Sequence, residues 1–283
     1  MTESESILIS PELGGDPRVM GQNGARLPDI IRHDADAIVV GNPEDMFRGL
    51  RVAITGGTSG LGLALVREML GRGARIAFVA RGREGVERVM REHPGLHGIV
   101  GDVSKKDDIH PIAVQIAGLL GGLDILINNA SALGPTPLAL LADTECEELE
   151  QALATNVLGP FRLTKALLGV LASSARDGRG AVVLNVSSDA AINPYPRWGA
   201  YGASKAALHH LSRIWNEELT GAGIPILSLD PGDMDTTLHA IAVPNSDSSE
   251  LKRPETAARE FVDTIGSLLA SIRSRRSVQE AVP

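Results

Sequence analysis

Tyr201 and Lys205 lie four residues apart in the run Tyr-Gly-Ala-Ser-Lys, within a segment whose apolar spacing predicts a helix. That spacing puts both side chains on one helical face, where an ammonium group can sit beside a phenol. A phenol titrates near ~10, so it becomes a useful acid at neutral pH only where positive charge stabilises the phenolate. The pair therefore predicts a general acid, Tyr201, tuned by Lys205. Ser188 ends the strand-like run that starts at Val182 and lies 13 residues before Tyr201. Its hydroxyl can give a second hydrogen bond to an oxygen on which charge develops.

Such a trio needs a scaffold that brings a strand end and a helix together. From Leu50 onward, short apolar runs at Val52–Ile54, Ile76–Val79, Ile125–Ile127, Val182–Val186 and Ile226–Leu229 alternate with longer amphipathic stretches. This βαβ alternation predicts a parallel sheet covered on both faces. Gly73, Gly122 and Gly223 each fall just before a strand, where a helix end calls for a left-handed residue. The first strand runs into Thr55-Gly56-Gly57-Thr58-Ser59-Gly60-Leu61-Gly62, followed by a helical stretch. Glycines at 56, 60 and 62 let the chain turn sharply and bring backbone N–H groups and a helix N-terminus against a pyrophosphate.

The turn resembles the Thr-Gly-x-x-x-Gly-x-Gly pattern of the short-chain dehydrogenase/reductase family. Further landmarks follow in that family's order: Asp102 and Val103 in Gly-Asp-Val-Ser, Asn128-Asn129-Ala130, Asn156 in Thr-Asn-Val-Leu-Gly, Ser188, Tyr201 with Lys205, Pro231-Gly232 and Thr236. The resemblance spans about residues 50 to 240. It implies one Rossmann-type, doubly wound α/β domain over residues 49–271, with an N-terminal arm (1–48) and a polar tail (272–283). It also implies hydride transfer between a nicotinamide and a carbonyl or alcohol carbon of a small organic substrate.

By the same resemblance, Asp102 contacts the adenine ring and Lys205 also holds the nicotinamide ribose. The Asn156 backbone holds a water that returns protons to Tyr201, and Thr236 holds the carboxamide. One departure is Ser131, where the family usually carries glycine; its Cβ crowds the backbone on the nicotinamide side. Arg81 follows Ala80 at the end of the second strand, where an NAD enzyme usually places an acid for the ribose hydroxyls. With Thr58 and Ser59 it predicts NADP(H) as the cofactor, through charge-assisted contacts to a 2′-phosphate.

Both tyrosines and one of two tryptophans, Tyr195, Trp198 and Tyr201, fall within seven residues. The cluster reads as a pocket wall, with Leu133, Asp189, Met234 and His239 completing a substrate mouth. Trp198 and the run Pro-Gly-Asp-Met-Asp-Thr are loosely similar to the sepiapterin-reductase-like branch. A carbonyl reductase is the leading expectation. The alternatives are an NAD-dependent alcohol dehydrogenase of the same fold and a non-catalytic dinucleotide-binding sensor; an intact Ser188, Tyr201 and Lys205 speaks against the sensor.

The net charge of −8 opposes a nucleic-acid partner. A single cysteine, Cys146, cannot form an internal disulfide and points to a reducing, cytoplasmic setting. The N-terminus lacks the basic start and apolar run of a secretory signal, and no apolar run is long enough for a membrane span. No metal site is expected, since His209 and His210 have no third ligand at metal spacing. The early glycines and prolines predict weak packing up to about residue 25, with 36–47 docking on the domain or a neighbour. Arg273, Arg275 and Arg276 read as a solvated end. Apolar helices around Thr164–Ala172 and Ala203–Leu219 predict a homodimer or homotetramer.

Overall fold

The computed structural model describes residues 46–280; of the expected arm (1–48), residues 1–45 lie outside the described residues. Six strands form one parallel sheet: β1 (Arg51–Thr55), β2 (Arg75–Ala80), β3 (His97–Val100), β4 (Ile125–Asn128), β5 (Val182–Val186) and β6 (Ile226–Leu229). Their spatial order is β3-β2-β1-β4-β5-β6. The order reverses between β1 and β4, and the cleft at their carboxyl ends is where such a sheet receives ligands.

Helices α1 (Gly60–Gly71), α2 (Arg83–Glu92), α3 (Lys106–Leu120), α4 (Cys146–Leu153), α5 (Gly159–Arg176), α6 (Gly199–Leu219), α7 (Thr237–Ala242) and α8 (Pro254–Glu280) complete the chain. Two apolar layers result. One packs Val52, Ile54, Ile76 and Phe78 against Leu65 and Met69 of α1 and Phe261 and Ile265 of α8. The other packs Ala53, Ala77, Val79 and Leu126 against Ile112 and Ile116 of α3 and Leu163 and Leu167 of α5. Successive strand residues face opposite layers, which is why the central strands are apolar without alternation.

Strand β3 carries almost no sequence signal. It is a short edge strand whose Gly98 lies under Val86 and Met90, where an added Cβ would come within 2.4 Å of Val86 Cγ1. Helix α3 ends on Gly121, in the left-handed region at φ 67°, one residue before the expected glycine. Phe47 is fully buried in the first layer, so the domain's packing begins inside the stretch read as arm. Helix α8 passes residue 271 without a break, and Arg273 donates to the Arg179 carbonyl at 2.9 Å, so it is not simply a solvated end.

At the amino ends of the strands, the fully buried Asp124 carboxylate accepts from Arg51 (2.6 Å) and Arg179 (3.0 Å). Burial alone would raise this carboxyl, but the two guanidinium groups outweigh it and hold it at about 2. The cluster ties β1 and β4 to the chain after α5. Among the described residues, no helix is long and apolar enough to cross a membrane, and no group of side chains is arranged to hold a metal ion.

Candidate active site

The glycine turn is locked to the neighbouring strand by hydrogen bonds. Thr55 Oγ1 accepts from the backbone N–H groups of Asn129 and Ala130, both at 3.0 Å, and Asn129 Nδ2 donates to the Thr55 carbonyl at 2.9 Å. Asn129 therefore shapes the turn with its own amide. Gly56 turns at φ 72°, and a Cβ on Gly62 would fall 2.1 Å from the Gly56 oxygen. Helix α1 opens behind Ser59 with no side-chain cap and no acid in its first turn. Its leading N–H groups and positive dipole end are thus available to an anion. Beside them, Gly60, Thr236 and Thr237, the cations Arg67 and Arg253 and the acids Asp235 and Glu255 line a polar cleft of about 260 Å³. Gly56 and Gly62 let the turn close tightly on Asn129 and Ala130 while the start of α1 stays uncapped, so the cradle fits the pyrophosphate of a dinucleotide.

After β3, Asp102 Oδ1 accepts from the Ser104 backbone (3.0 Å) and hydroxyl (2.7 Å), which fixes the carboxylate beside the buried Val103. Ala80 is buried at the end of β2 and Arg81 is exposed next to it. A second cation was not anticipated: Arg88 of α2 donates to the Thr58 carbonyl at 2.8 Å. Only the face it takes on α2, invisible without β3 in place, could have revealed it.

Tyr201 and Lys205 do share a face of α6. Lys205 is fully buried, its Nζ 5.5 Å from the centre of the Tyr201 ring and 2.8 Å from the Val186 carbonyl that it donates to. Burial pushes this ammonium down to about 8, against the pull of Asp230. Tyr201 is buried too, and desolvation pushes its phenol up to about 12; the Ser188 and Ser131 hydroxyls favour the phenolate, while Asp230 and Asp189 oppose it. The protein groups thus keep the phenol protonated at neutral pH. Ser188, after β5, accepts from the Ala190 N–H at 3.2 Å and donates to Asp189 Oδ1 at 3.1 Å.

Asn156 lies in a five-residue π-turn, Ala154–Leu158, between α4 and α5. Such turns interrupt the regular helical ladder and recur at functional sites. Its side chain is saturated: Oδ1 accepts from Ala132 N (2.8 Å) and Ser131 Oγ (3.2 Å), and Nδ2 donates to the Ala132 carbonyl and Ser204 Oγ, both at 2.8 Å. Ser131, which the sequence marks only as a departure, joins this clamp and faces the Tyr201 phenol as well.

The expected mouth is brought together in part. Leu133, Ala190 and Tyr201 form a small apolar cluster on which Leu138, Trp198, Leu238 and Ala242 pack. Trp198 meets Tyr201 edge-on, with ring centres 5.6 Å apart, and Tyr195 donates to Asp189 Oδ2 at 2.6 Å. Two expected residues sit elsewhere. Met234 packs against the α1–α8 layer. His239 is buried near Asp233 (3.8 Å) and Ser246 (3.4 Å), because the face of α7 that meets Tyr201 carries Leu238 and Ala242. Those two replace it in the wall; helical spacing from Thr236 could have identified them. Pro231 is buried and Gly232 turns at φ 75°, its N–H donating to Asp230 Oδ1 at 2.9 Å.

The glycine cradle at the switch point and a tyrosine–lysine pair across from a strand-end serine define a class. Residues 51–246 match the model of the short chain dehydrogenase family, and the chain belongs to that family. It is similar to an uncharacterized oxidoreductase of Mycobacterium bovis, 34% identical over 195 residues, which cover 66% of this chain and 56% of that protein. It thus spans little more than half of that relative's length. An uncharacterized oxidoreductase of Thermotoga maritima is 34% identical over 190 residues, covering 66% of this chain and 72% of the relative. Among solved structures, a 3-ketoacyl-(acyl-carrier-protein) reductase from Brucella melitensis complexed with NADH superposes with a TM-score of 0.71 at 28% identity, covering 76% of this chain and 90% of that one.

Proposed function

We propose that this chain is an NADP(H)-dependent oxidoreductase that reduces the carbonyl group of a small, largely apolar substrate. The observation that carries the reading is Tyr201, a buried phenol held protonated, with the Lys205 ammonium on its own helical face and the Ser188 hydroxyl opposite. When bound, the nicotinamide supplies the hydride. Tyr201 then gives its proton to the carbonyl oxygen as charge develops there, and Ser188 turns its hydroxyl to the same oxygen. Lys205 stabilises the phenolate that is left, and a carbonyl acceptor such as Val186 O keeps the ammonium directed into the site. The clamp formed by Asn156, Ser131 and Ser204 fixes the backbone from which a water can reload Tyr201.

Preference for NADPH rests on Arg81 at a position without an acid and on Arg88 beside Thr58. The wall of Leu133, Leu138, Trp198, Leu238 and Ala242 supports an apolar substrate. Assembly as a homo-oligomer rests on the apolar groove of α5 and α6, where Phe161 stacks on Trp215 at 5.1 Å beside Leu168 and Leu219. The test is NADPH oxidation followed by absorbance across a panel of aldehydes, ketones, quinones and pterins. Turnover of at least one class is expected. NADPH binding with no turnover on any of them would favour a sensor, and faster use of NADH would favour the alcohol dehydrogenase reading.

A further inference from the structure

Ser188 and Tyr195 stand on the same segment of chain and share one partner. Ser188 Oγ donates to Asp189 Oδ1 at 3.1 Å, and Tyr195 Oη donates to Asp189 Oδ2 at 2.6 Å. We propose that Asp189 is a positioning residue of this site: by accepting the one hydroxyl proton of Ser188 and the phenolic proton of Tyr195, it leaves Ser188 an acceptor toward Tyr201 and pins the 189–198 wall. The inference rests on the reading of Tyr201 as the acid and adds a residue that acts on it only through others.

Proton counting carries the first half. A serine hydroxyl has one proton and two acceptor sites. One acceptor site of Ser188 takes the Ala190 N–H at 3.2 Å, and its proton goes to a carboxylate, which binds it more strongly than a neutral acceptor does. Asp189 thereby draws the Ser188 proton away from the Tyr201 phenolate that this hydroxyl favours, and freeing that proton strengthens the contact. The groups that face Tyr201 are Lys205 on α6, Ser131 after β4, Ser188 and Asp189 after β5, and Asp230 after β6. Among these, only Asp189 hydrogen-bonds Ser188.

Backbone geometry carries the second half. Between Tyr195 and Trp198 the chain passes through Arg197 at φ 71°, a region that a residue with a Cβ occupies only where its surroundings hold it. The Asp189–Tyr195 bond closes one side of this loop, and the Trp198–Tyr201 ring contact closes the other. Asp189 thus sets the proton of Ser188 and the shape of the wall together.

The chain has two tyrosines, so ¹³Cζ-tyrosine labelling gives two NMR signals, and Tyr195→Phe leaves Tyr201 alone. In that folded single-tyrosine chain, with its phenol near 12, about a tenth of Tyr201 is ionised at pH 11. Adding Asp189→Asn frees the Ser188 proton and should lower the titration by about one unit, so that about half is ionised. In a Ser188→Ala background the same change should lose most of its effect. Titrations that coincide with and without Asp189→Asn would overturn the proposal, and so would a full shift without Ser188, which would mean that charge alone acts. A kinetic arm with 4-nitrobenzaldehyde and NADPH separates the two readings: in Asp189→Asn the alkaline limb of kcat/KM should move down by the same amount. An NMR shift in a chain that reduces no carbonyl overturns the functional reading and supports Asp189's role; carbonyl reduction with no shift does the reverse.

Discussion

Replacing Gly62 with alanine tests the cofactor cradle at its tightest point. The added methyl would lie 2.1 Å from the Gly56 oxygen and 2.5 Å from Asn129 Nδ2, against an ordinary contact of about 3.4 Å or more. Neither neighbour can withdraw freely. The Gly56 N–H is bonded to the Val79 carbonyl at 2.8 Å, and Asn129 Nδ2 holds the Thr55 carbonyl at 2.9 Å. The turn must therefore open by about an ångström, at the ~1–3 kcal/mol typical of overpacking. If one or two phosphate contacts are lost with it, at ~1.5–3 kcal/mol each, Kd for NADPH rises at least about tenfold. Fluorescence titration of NADPH and thermal melting report the two effects separately. Gly71→Ala serves as the control, because it closes the same helix with nothing within 4 Å of the new methyl. A folded Gly62→Ala chain that binds NADPH within about twofold of the native Kd would refute the placement of the pyrophosphate on this turn.

Three further outcomes follow from the same geometry. Asp124→Asn should destabilise the fold toward the lower end of the ~3–5 kcal/mol expected for breaking a buried pair, since Arg179 is 40% exposed; because the native carboxyl lies at about 2 instead of 3.8, its contribution is complete above about pH 4 and is lost as pH falls toward 2, about 2 kcal/mol in all, which denaturant melts across that window would show. Arg81→Ala should lower the NADPH-to-NADH ratio of kcat/KM by about tenfold or more while leaving kcat with NADH in place, and an unchanged ratio would remove Arg81 from cofactor choice. With Asp189 and Asp233 both acting on Tyr195 at the mouth, 4-carboxybenzaldehyde should be reduced at least about fivefold less efficiently than benzaldehyde, and equal efficiencies would show that these charges do not meet the substrate.

The sheet was legible because five of its six strands are mostly apolar runs separated by helical spacing, and periodicity registers such runs directly. β3 was not, because an edge strand with Gly98 and His97 depends on its neighbours to be a strand at all. The grouping of Ser188, Tyr201 and Lys205 was legible from spacing: four residues along a helix fix Tyr201 against Lys205, and a strand end fixes Ser188. The mouth was harder. Which residue of α7 faces Tyr201 depends on how the helix is rotated by its N-cap, Thr236; the sequence pointed to the chemically suggestive His239, and Leu238 and Ala242 carry no chemical signal. Asp189 was read only as part of the wall, and its two hydrogen bonds depend on how the chain from Asp189 to Tyr195 folds back on itself, which no residue spacing shows. The sequence also treated Ser131 as a disturbance, whereas its hydroxyl joins Asn156 and faces the phenol.

The central claim is that Tyr201 delivers the proton. Tyr201→Phe keeps the ring, its edge-on contact with Trp198 and its place in the apolar cluster, and removes only the hydroxyl. Single-turnover reduction of a carbonyl substrate found in the panel, with NADPH bound at saturation, measures that loss directly. The account predicts a rate lower by about 10²–10⁴-fold, with the Kd for NADPH within about twofold of native. A variant that retains more than half of the native rate would contradict it.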